Sequence, residues 1–371
     1  LPKTTVFGLS DQAEFGSYEA PGLGFVFGLQ DPNYALKAAD RGWITKSKYL
    51  NTTTTRTFSE AINFTSNVEP FKDFRIVLTA SRNITRSNSA IIKYDSTLVV
   101  PGASSGFYQQ SPLETGTFSI SVNSFNTAFK KNREDHGNEV FDAFLASRKE
   151  FSKSVAEGTY SNGLDSAGFA DGYGQFSQDV LIPAFVSAYT NSKVKNTNKI
   201  FKAIPRLNWR VNYDGLSKLE QVKKYFKTVT LGHTYRSTLN IGTYTWNPLF
   251  IDEDGFGNTS VRNLDGDFRS RKEINSITLS EQFSPLFSVD MTWNNSLITK
   301  AEMKKDRMVT LTISTKQITE VNGNEYIFGL GYRFKNVAIN LKQFNMKFKS
   351  DLALRSDVSY RRNHCAKLNR F

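Results

Sequence analysis

The sequence predicts an all-β membrane fold, an antiparallel transmembrane β-barrel segment with a small helical insertion. Three observations predict it. Arg206-Leu-Asn-Trp-Arg-Val-Asn-Tyr-Asp214 alternates strictly: Leu207, Trp209, Val211 and Tyr213 are apolar, and Asn208, Arg210, Asn212 and Asp214 are polar. Period two means a strand with one oily and one wet face, and a wet face carrying a cation, two amides and an anion suits no dry core. From 344 to 360, Phe344, Met346, Phe348, Leu352, Leu354, Val358 and Tyr360 take even positions, interrupted only by Ser350 and Ser356. Lys347, Lys349, Asp351, Arg355, Asp357, Ser359 and Arg361 take odd ones. That run outlasts the roughly 5–6 residues of an ordinary strand and meets the ~9–11 needed to cross a bilayer. Finally, 30 Phe and 15 Tyr among 371 residues favour sheet. No run approaches the ~18 apolar residues of a membrane helix, which leaves a barrel open because half of each barrel strand is polar.

In chain order, glycine-broken apolar pieces come first, Val6–Leu9 and Gly22–Leu29. Asp31-Pro32 then opens a short helix that Gly42 closes. Residues 46–70, rich in Asn and Thr, read as a loop or a poorly formed strand. Phe74–Ala80 and Thr117–Asn123 read as strands. Asn138–Gly158 switches to helical spacing behind an Asn138 cap, and Asp179–Tyr189 forms a second helix, kinked or restarted at Pro183. Leu216–Lys227 reads as a short helix or long turn, Val229–Trp246 as two strands or one bent one, and Asn247–Arg271 as a polar loop. A meander of Ile277–Phe283, Phe287–Trp293, Val309–Ile318 and Tyr326–Phe334 follows. It is joined through connections at Asn294–Arg307 and Glu320–Glu325, the latter with an Asn322-Gly-Asn324 turn. Three regions result: barrel strands and loops over 1–126 with a helix near 31–42, an insertion over 127–203, and a meander over 204–371.

The net charge of +12 suits nucleic acid, an anionic lipid surface or acidic cargo. Lys and Arg alternate with the aromatics across opposite faces, whereas a single-strand platform needs both on one face, so no nucleic-acid partner is expected. Cys365 is the only cysteine, and His136, His233 and His364 share no ligand spacing, so neither metal nor cofactor is expected. Asp252-Glu-Asp254 and Asp265-Gly-Asp267 read as solvated turns, and Gly329 and Gly331 as points of strand bending or close packing. Gly102-Ala-Ser-Ser-Gly106 matches a nucleophile elbow in letters, but Phe107-Tyr-Gln-Gln-Ser-Pro112 is no helix start, so a turn between strands is expected and no enzyme. No basic stretch followed by an apolar one opens the chain, so no signal peptide is expected in it, and Asn369, Lys367 and Cys365 break the alternation before Phe371. The chain is therefore expected to be a fragment, cut or frame-altered after about Asn363.

Six longer words carry a resemblance. They are Gly22-Leu-Gly-Phe-Val-Phe-Gly28, Asp73-Phe-Arg-Ile76, Gln178-Asp-Val-Leu-Ile-Pro-Ala-Phe185, Asn208-Trp-Arg-Val-Asn-Tyr-Asp-Gly-Leu-Ser-Lys218, Tyr235-Arg-Ser-Thr238 and Tyr326-Ile-Phe-Gly-Leu-Gly-Tyr-Arg-Phe-Lys335. Together they resemble the C-terminal portion of the SprA/Sov outer-membrane translocon of the Bacteroidetes type IX secretion system. The resemblance implies a very large single-chain barrel, of the class reaching about 36 strands. It also implies passage of folded cargo with C-terminal signal domains, and partners comprising a PorV-type shuttle barrel, a plug protein, a periplasmic peptidyl-prolyl isomerase and lipoprotein subunits. Outer-membrane lipid and lipopolysaccharide would surround it.

From parity, the expected pore-lining residues are Arg75, Asn208, Arg210, Asn212, Asp290, Arg333, Lys347, Asp351 and Arg355, keeping an inner surface hydrated. Two alternatives stay open. One is another outer-membrane barrel, a porin or nutrient transporter; the other is a soluble basic β-protein binding polyanions, since a sandwich alternates as well.

Overall fold

The alternation builds ten strands among the described residues. The computed structural model describes residues 34–40, 42, 46, 47, 49, 51, 53–100, 104–130, 133, 137–190, 196–341 and 346–368. Its strands are β1 (Thr53–Phe71), β2 (Phe74–Val100), β3 (Ser104–Ser121), β4 (Asn208–Tyr213), β5 (Phe226–Trp246), β6 (Lys272–Ile274), β7 (Ser276–Trp293), β8 (Leu297–Thr312), β9 (Gln317–Leu341) and β10 (Met346–Leu368). All belong to one sheet in the order β1-β2-β3-β5-β7-β8-β9-β10, with β4 pairing β2 and β5, and β6 pairing β5. The pairings β2–β4, β4–β5, β5–β7, β7–β8, β8–β9 and β9–β10 are antiparallel. Pairing closes in a ring through β2, β3, β5 and β4 because β3 and β4 occupy the same sheet position end to end. The segment between Ser121 and Asn208 leaves the sheet there and returns.

The chain divides into two compact units. One comprises the described residues up to Glu60 with Thr85–Gly116 and Thr245–Pro248; the other holds Ala61–Ile84, Thr117–Tyr244 and the described residues from Leu249 onward. In the first, helix α1 (Tyr34–Asp40) ends where the Gly42 N–H donates to Ala39 O at 3.0 Å, with Gly42 at φ 78°. Also there, the Tyr94 and Phe107 rings pack at 5.2 Å. The Gly22–Leu29 piece, Asp31-Pro32 and Phe344 lie outside the described residues.

Several expectations are corrected. Residues 53–71 form a regular 19-residue strand where a loop or a poorly formed strand was expected. Phe58, Ile62, Phe64 and Val68 already share even parity there, and the Thr residues are β-branched and suit a pleated surface. Asn294–Arg307 is no connection, because β8 fills most of it, and the turn lies instead at Ile313–Lys316, inside the expected Val309–Ile318 strand. The expected Glu320–Glu325 connection is also strand: Asn322, Gly323 and Asn324 pair with β8 on one side and β10 on the other. A Cβ on Gly323 would fall 2.6 Å from the Asp306 carboxylate, so close approach explains that glycine rather than a turn. Strand β10 runs past Asn363 to Leu368, pairing down to Ile318.

In the second unit the insertion folds as helices α2 (Glu139–Ala156), α3 (Gln178–Thr190) and α4 (Thr197–Ile200). Asn138 caps α2 by accepting from Phe141 N at 2.9 Å, and α3 continues unbroken through Pro183. Beyond β4, a 3-10 turn (Gly215–Lys218) and the one-turn helix α5 (Glu220–Lys223) lead into β5. Among the described residues no helix is long and apolar enough to cross a membrane.

Candidate functional site

The register turns separate alternating strands into two continuous faces within the second unit. Phe74 pairs Tyr213, Tyr213 pairs Leu231, Leu231 pairs Val289, Val289 pairs Ala301, Ala301 pairs Phe328 and Phe328 pairs Val358. This row crosses seven strands without a charge. The flanking rows on the same face are Val229-Met291-Thr299-Leu330-Ser356 and Phe287-Met303-Tyr326-Tyr360. Much of the band is open to its surroundings: Phe328 is 65% exposed and Val358 69%. Aromatic groups edge it, with Phe71 stacked on Phe74 at 4.7 Å and Phe226 packed at a tilt against Trp293 at 4.2 Å. From Tyr326 to Phe334, eight strand steps of about 3.4 Å span about 27 Å, or about 21 Å along the normal of a strand tilted ~40°. That is close to the ~25 Å band of barrel walls.

One irregularity preserves this face. The apolar parity of β9 changes from even (Phe334) to odd (Val337), and at that point Lys335 and Asn336 together oppose Asp351 in a bulge. Asn336 takes φ 55°, the left-handed region that Asn tolerates. Its N–H donates to Asp351 Oδ1 at 3.1 Å.

The opposite face is wet. Arg75 pairs Asn212, Arg210 pairs Thr234, and Thr230, Asp290, Lys300, Gly329 and Asp357 form one row. Arg75, Arg210, Asp290, Arg333 and Arg355 are exposed there, and Asn212 is half-buried. Asp351 is exposed too, but it is engaged in the bulge. The side chain of Lys347 lies outside the described residues, while its backbone pairs Asn340. Asn208 is corrected: it is buried, and its Oδ1 accepts from Ser237 N at 2.9 Å, so it fastens the start of β4 instead of lining an open surface. Reading β8 as a connection hid further members of this face. Lys300 and Lys304 share Glu302, and Arg361 meets Asp306 at 3.1 Å. Gly329 and Gly331 give Asp357 and Arg355 room, since a Cβ at either would strike those side chains.

The insertion meets the sheet on the apolar face, beyond the open band. The β8–β9 register is unbroken, so Arg307, Val309 and Leu311 share a face with Ala301, and Glu320 shares it with Phe328. There the same face is closed, with Val309, Leu311 and Ile318 all 0% exposed. A buried polar cluster joins the two parts. Arg307 Nε donates to Glu320 Oε1 at 3.0 Å, and its Nη1 donates to Thr127 O at 2.9 Å. Ser124 Oγ and Tyr235 OH donate to Glu281 Oε1 at 2.6 and 3.1 Å. Asn138 Nδ2 donates to Glu320 Oε2 at 3.4 Å. Each buried charge thus has a partner from the other part or from the neighbouring strand, which low dielectric requires. Further along, Gln178 bonds Lys272 O and Ile274 N. Asp179 accepts from Thr197 and Ser270, and burial pushes its carboxyl above the usual range.

Among the described residues no group of three or more His, Cys, Asp or Glu side chains could hold a metal ion. No protein-family model matches the chain, and no curated protein matches it.

Proposed function

We propose that the chain is a stretch of wall from an outer-membrane β-barrel, with the open apolar band against lipid and the wet face toward an aqueous passage. One observation carries this reading: a single sheet face holds no charge and lies open over its lower rows, while the same face of the same strands is buried under the insertion above. A face meant for a protein interior would be covered throughout; hydrocarbon completes the open part. The long strands agree, since 21 to 27 residues in β2, β5, β9 and β10 exceed what a bilayer requires and leave room for a section outside it.

The passage is protein-conducting on this proposal, as in the type IX translocon that the sequence words resemble, and the chain performs no catalysis. Mixed charges on the wet face keep water bound so that cargo does not adhere. Comparing Val211→Asp with Asn212→Asp tests the wall, as adjacent residues on opposite faces. The first is expected to deplete the protein from the membrane fraction and the second is not; equal depletion would contradict the proposal. Photocrosslinkers at Arg333 and Arg355 test the passage. They are expected to capture secreted proteins bearing C-terminal signal domains, and capture of small solute-binding proteins alone would point to a transporter.

A further inference from the structure

The band has a definite upper edge. The first row on its face to carry charge is Phe283-Lys305-Asn324-Arg362. The foot of the insertion lands on this row. A 3-10 turn, Phe125–Thr127, and the following Ala128-Phe129 form an aromatic knot with the wall. The Phe125 ring lies 5.8 Å from Trp209, 5.6 Å from Tyr235 and 5.7 Å from Phe283, and Phe129 lies 5.2 Å from Phe283. Yet both rings stay partly open, Phe125 at 37% and Phe129 at 47%. Leu207, two residues before Trp209 on the returning segment, is also exposed. Lys305 rises beside them, its Nζ 4.2 Å from the Phe129 ring centre and donating to Ala128 O at 2.6 Å.

We infer that this foot is an interfacial anchor. Phe125, Phe129 and Leu207 enter the boundary between headgroups and acyl chains, and the helical insertion stands on the lipid-facing side of the wall, directly over the bilayer surface. The inference rests on the wall reading and deepens it by naming the insertion's partner, an anionic lipid surface. Chemistry favours that partner. Half-exposed aromatics suit a zone that is apolar on one side and wet on the other. Lys305 is suited to such a boundary, its stem on the wall and its ammonium at the Phe129 ring and Ala128 O, at the level where charge first appears on the face. The edge row itself carries Lys305 and Arg362 and no acid, the sign that anionic headgroups attract, whereas Lys130 and Arg133 after Phe129 are paired with Glu139 and Asp142 at 2.6 Å. Rigidity favours it as well: Thr127 Oγ1 donates to Ser124 O and Tyr189 O, and Arg307 holds Thr127, so the rings are presented in place.

Nitroxide depth measurements test the anchor. In the full chain with Cys365→Ser, single cysteines replace Phe129, Phe328 and Leu264, the last fully exposed on the Asn247–Arg271 loop. Labelled proteins are placed in vesicles of mixed phosphatidylcholine and phosphatidylglycerol, and collision with oxygen is compared with collision with a nickel chelate. The label at 328 is expected to favour oxygen, that at 264 the chelate, and that at 129 to fall between them at headgroup depth. If 328 is deep while 129 is as open to the chelate as 264, or as deep as 328, or shielded from both reagents, the anchor is overturned and the wall survives. If 328 is open to the chelate, both fall. A label at Phe125 repeats the reading should the 129 substitution disturb the turn.

Discussion

Ile327 and Phe328 are neighbours in the chain and opposites in the sheet. Replacing each by arginine isolates the medium each face meets. Phe328 sits in the charge-free row between Ala301 and Val358, with further apolar rows on both sides, so it lies well inside the band. An arginine facing lipid near the bilayer midplane costs about 2–4 kcal/mol, which is about thirty-fold to several-hundred-fold in the folding equilibrium at ~1.4 kcal/mol per decade. Ile327 pairs Glu302 and Ser359 on the wet face, where an arginine meets water and a carboxylate. Its cost should stay near the ~0.5 kcal/mol of ordinary surface changes. The assay is urea unfolding from lipid vesicles for both variants and the parent. Were the apolar face simply exposed to water, Phe328→Arg would cost no more than Ile327→Arg. A difference below about 1 kcal/mol between them, the range measured for positions near the bilayer interfaces, would refute the reasoning.

Further outcomes follow from the same geometry. Arg307→Ala leaves Glu281 and Glu320 buried beside an empty space, so stability should fall by roughly 3–5 kcal/mol. Proteolysis between Ser121 and Asn208 should accelerate before the strands are cut, and intact protection would count against a polar lock. Gly331→Ala places a Cβ 2.8 Å from the Leu354 carbonyl, a backbone atom that cannot step aside, whereas Gly242→Ala meets nothing within 4 Å. The first should cost about 1–3 kcal/mol and the second should be neutral in the same unfolding assay. Asp179 is raised by burial, so the stability it contributes is full below the ordinary carboxylate pKa of ~3.9 and is lost as pH rises through the raised folded value. Asp179→Asn should therefore melt higher than the parent at neutral pH and level with it in acid. A variant that melts lower at neutral pH would show that the carboxylate is needed charged.

Much of the fold was legible because a sheet with one apolar and one wet face imposes the same period on every strand. The runs at 207–213 and 326–334 could be placed on faces from parity alone, and Asn138 announced its helix by its cap chemistry. The errors have equally local causes. In β8, Lys305 and Arg307 occupy the apolar face and break the alternation, yet they are there to meet the insertion, a partner distant in sequence. Asn322-Gly-Asn324 spells a hairpin turn, but Asp306 on the next strand needs the space that Gly323 leaves. Asn208 follows the wet parity and is nonetheless buried, because β3 ends where β4 begins and Ser237 requires an acceptor. The bulge at Asn336 changes parity within one strand, which no fixed period can anticipate. Of the nine expected lining residues, Arg75, Arg210, Asn212, Asp290, Arg333 and Arg355 lie on the wet face, the side chain of Lys347 is outside the described residues, and the two at irregular points, Asn208 and Asp351, act on the backbone instead.

Hydroxyl-radical labelling of the protein in lipid vesicles tests the two-faced wall most directly. Phe328, Leu354 and Tyr360 are exposed in the protein itself, as are Phe256 and Leu264 on the long loop. Lipid should shield the first three and leave the loop residues oxidised at their full rates. Oxidation of Phe328 as fast as Phe256 in the same vesicles would mean that water covers the apolar face, and the wall would have no membrane to stand in.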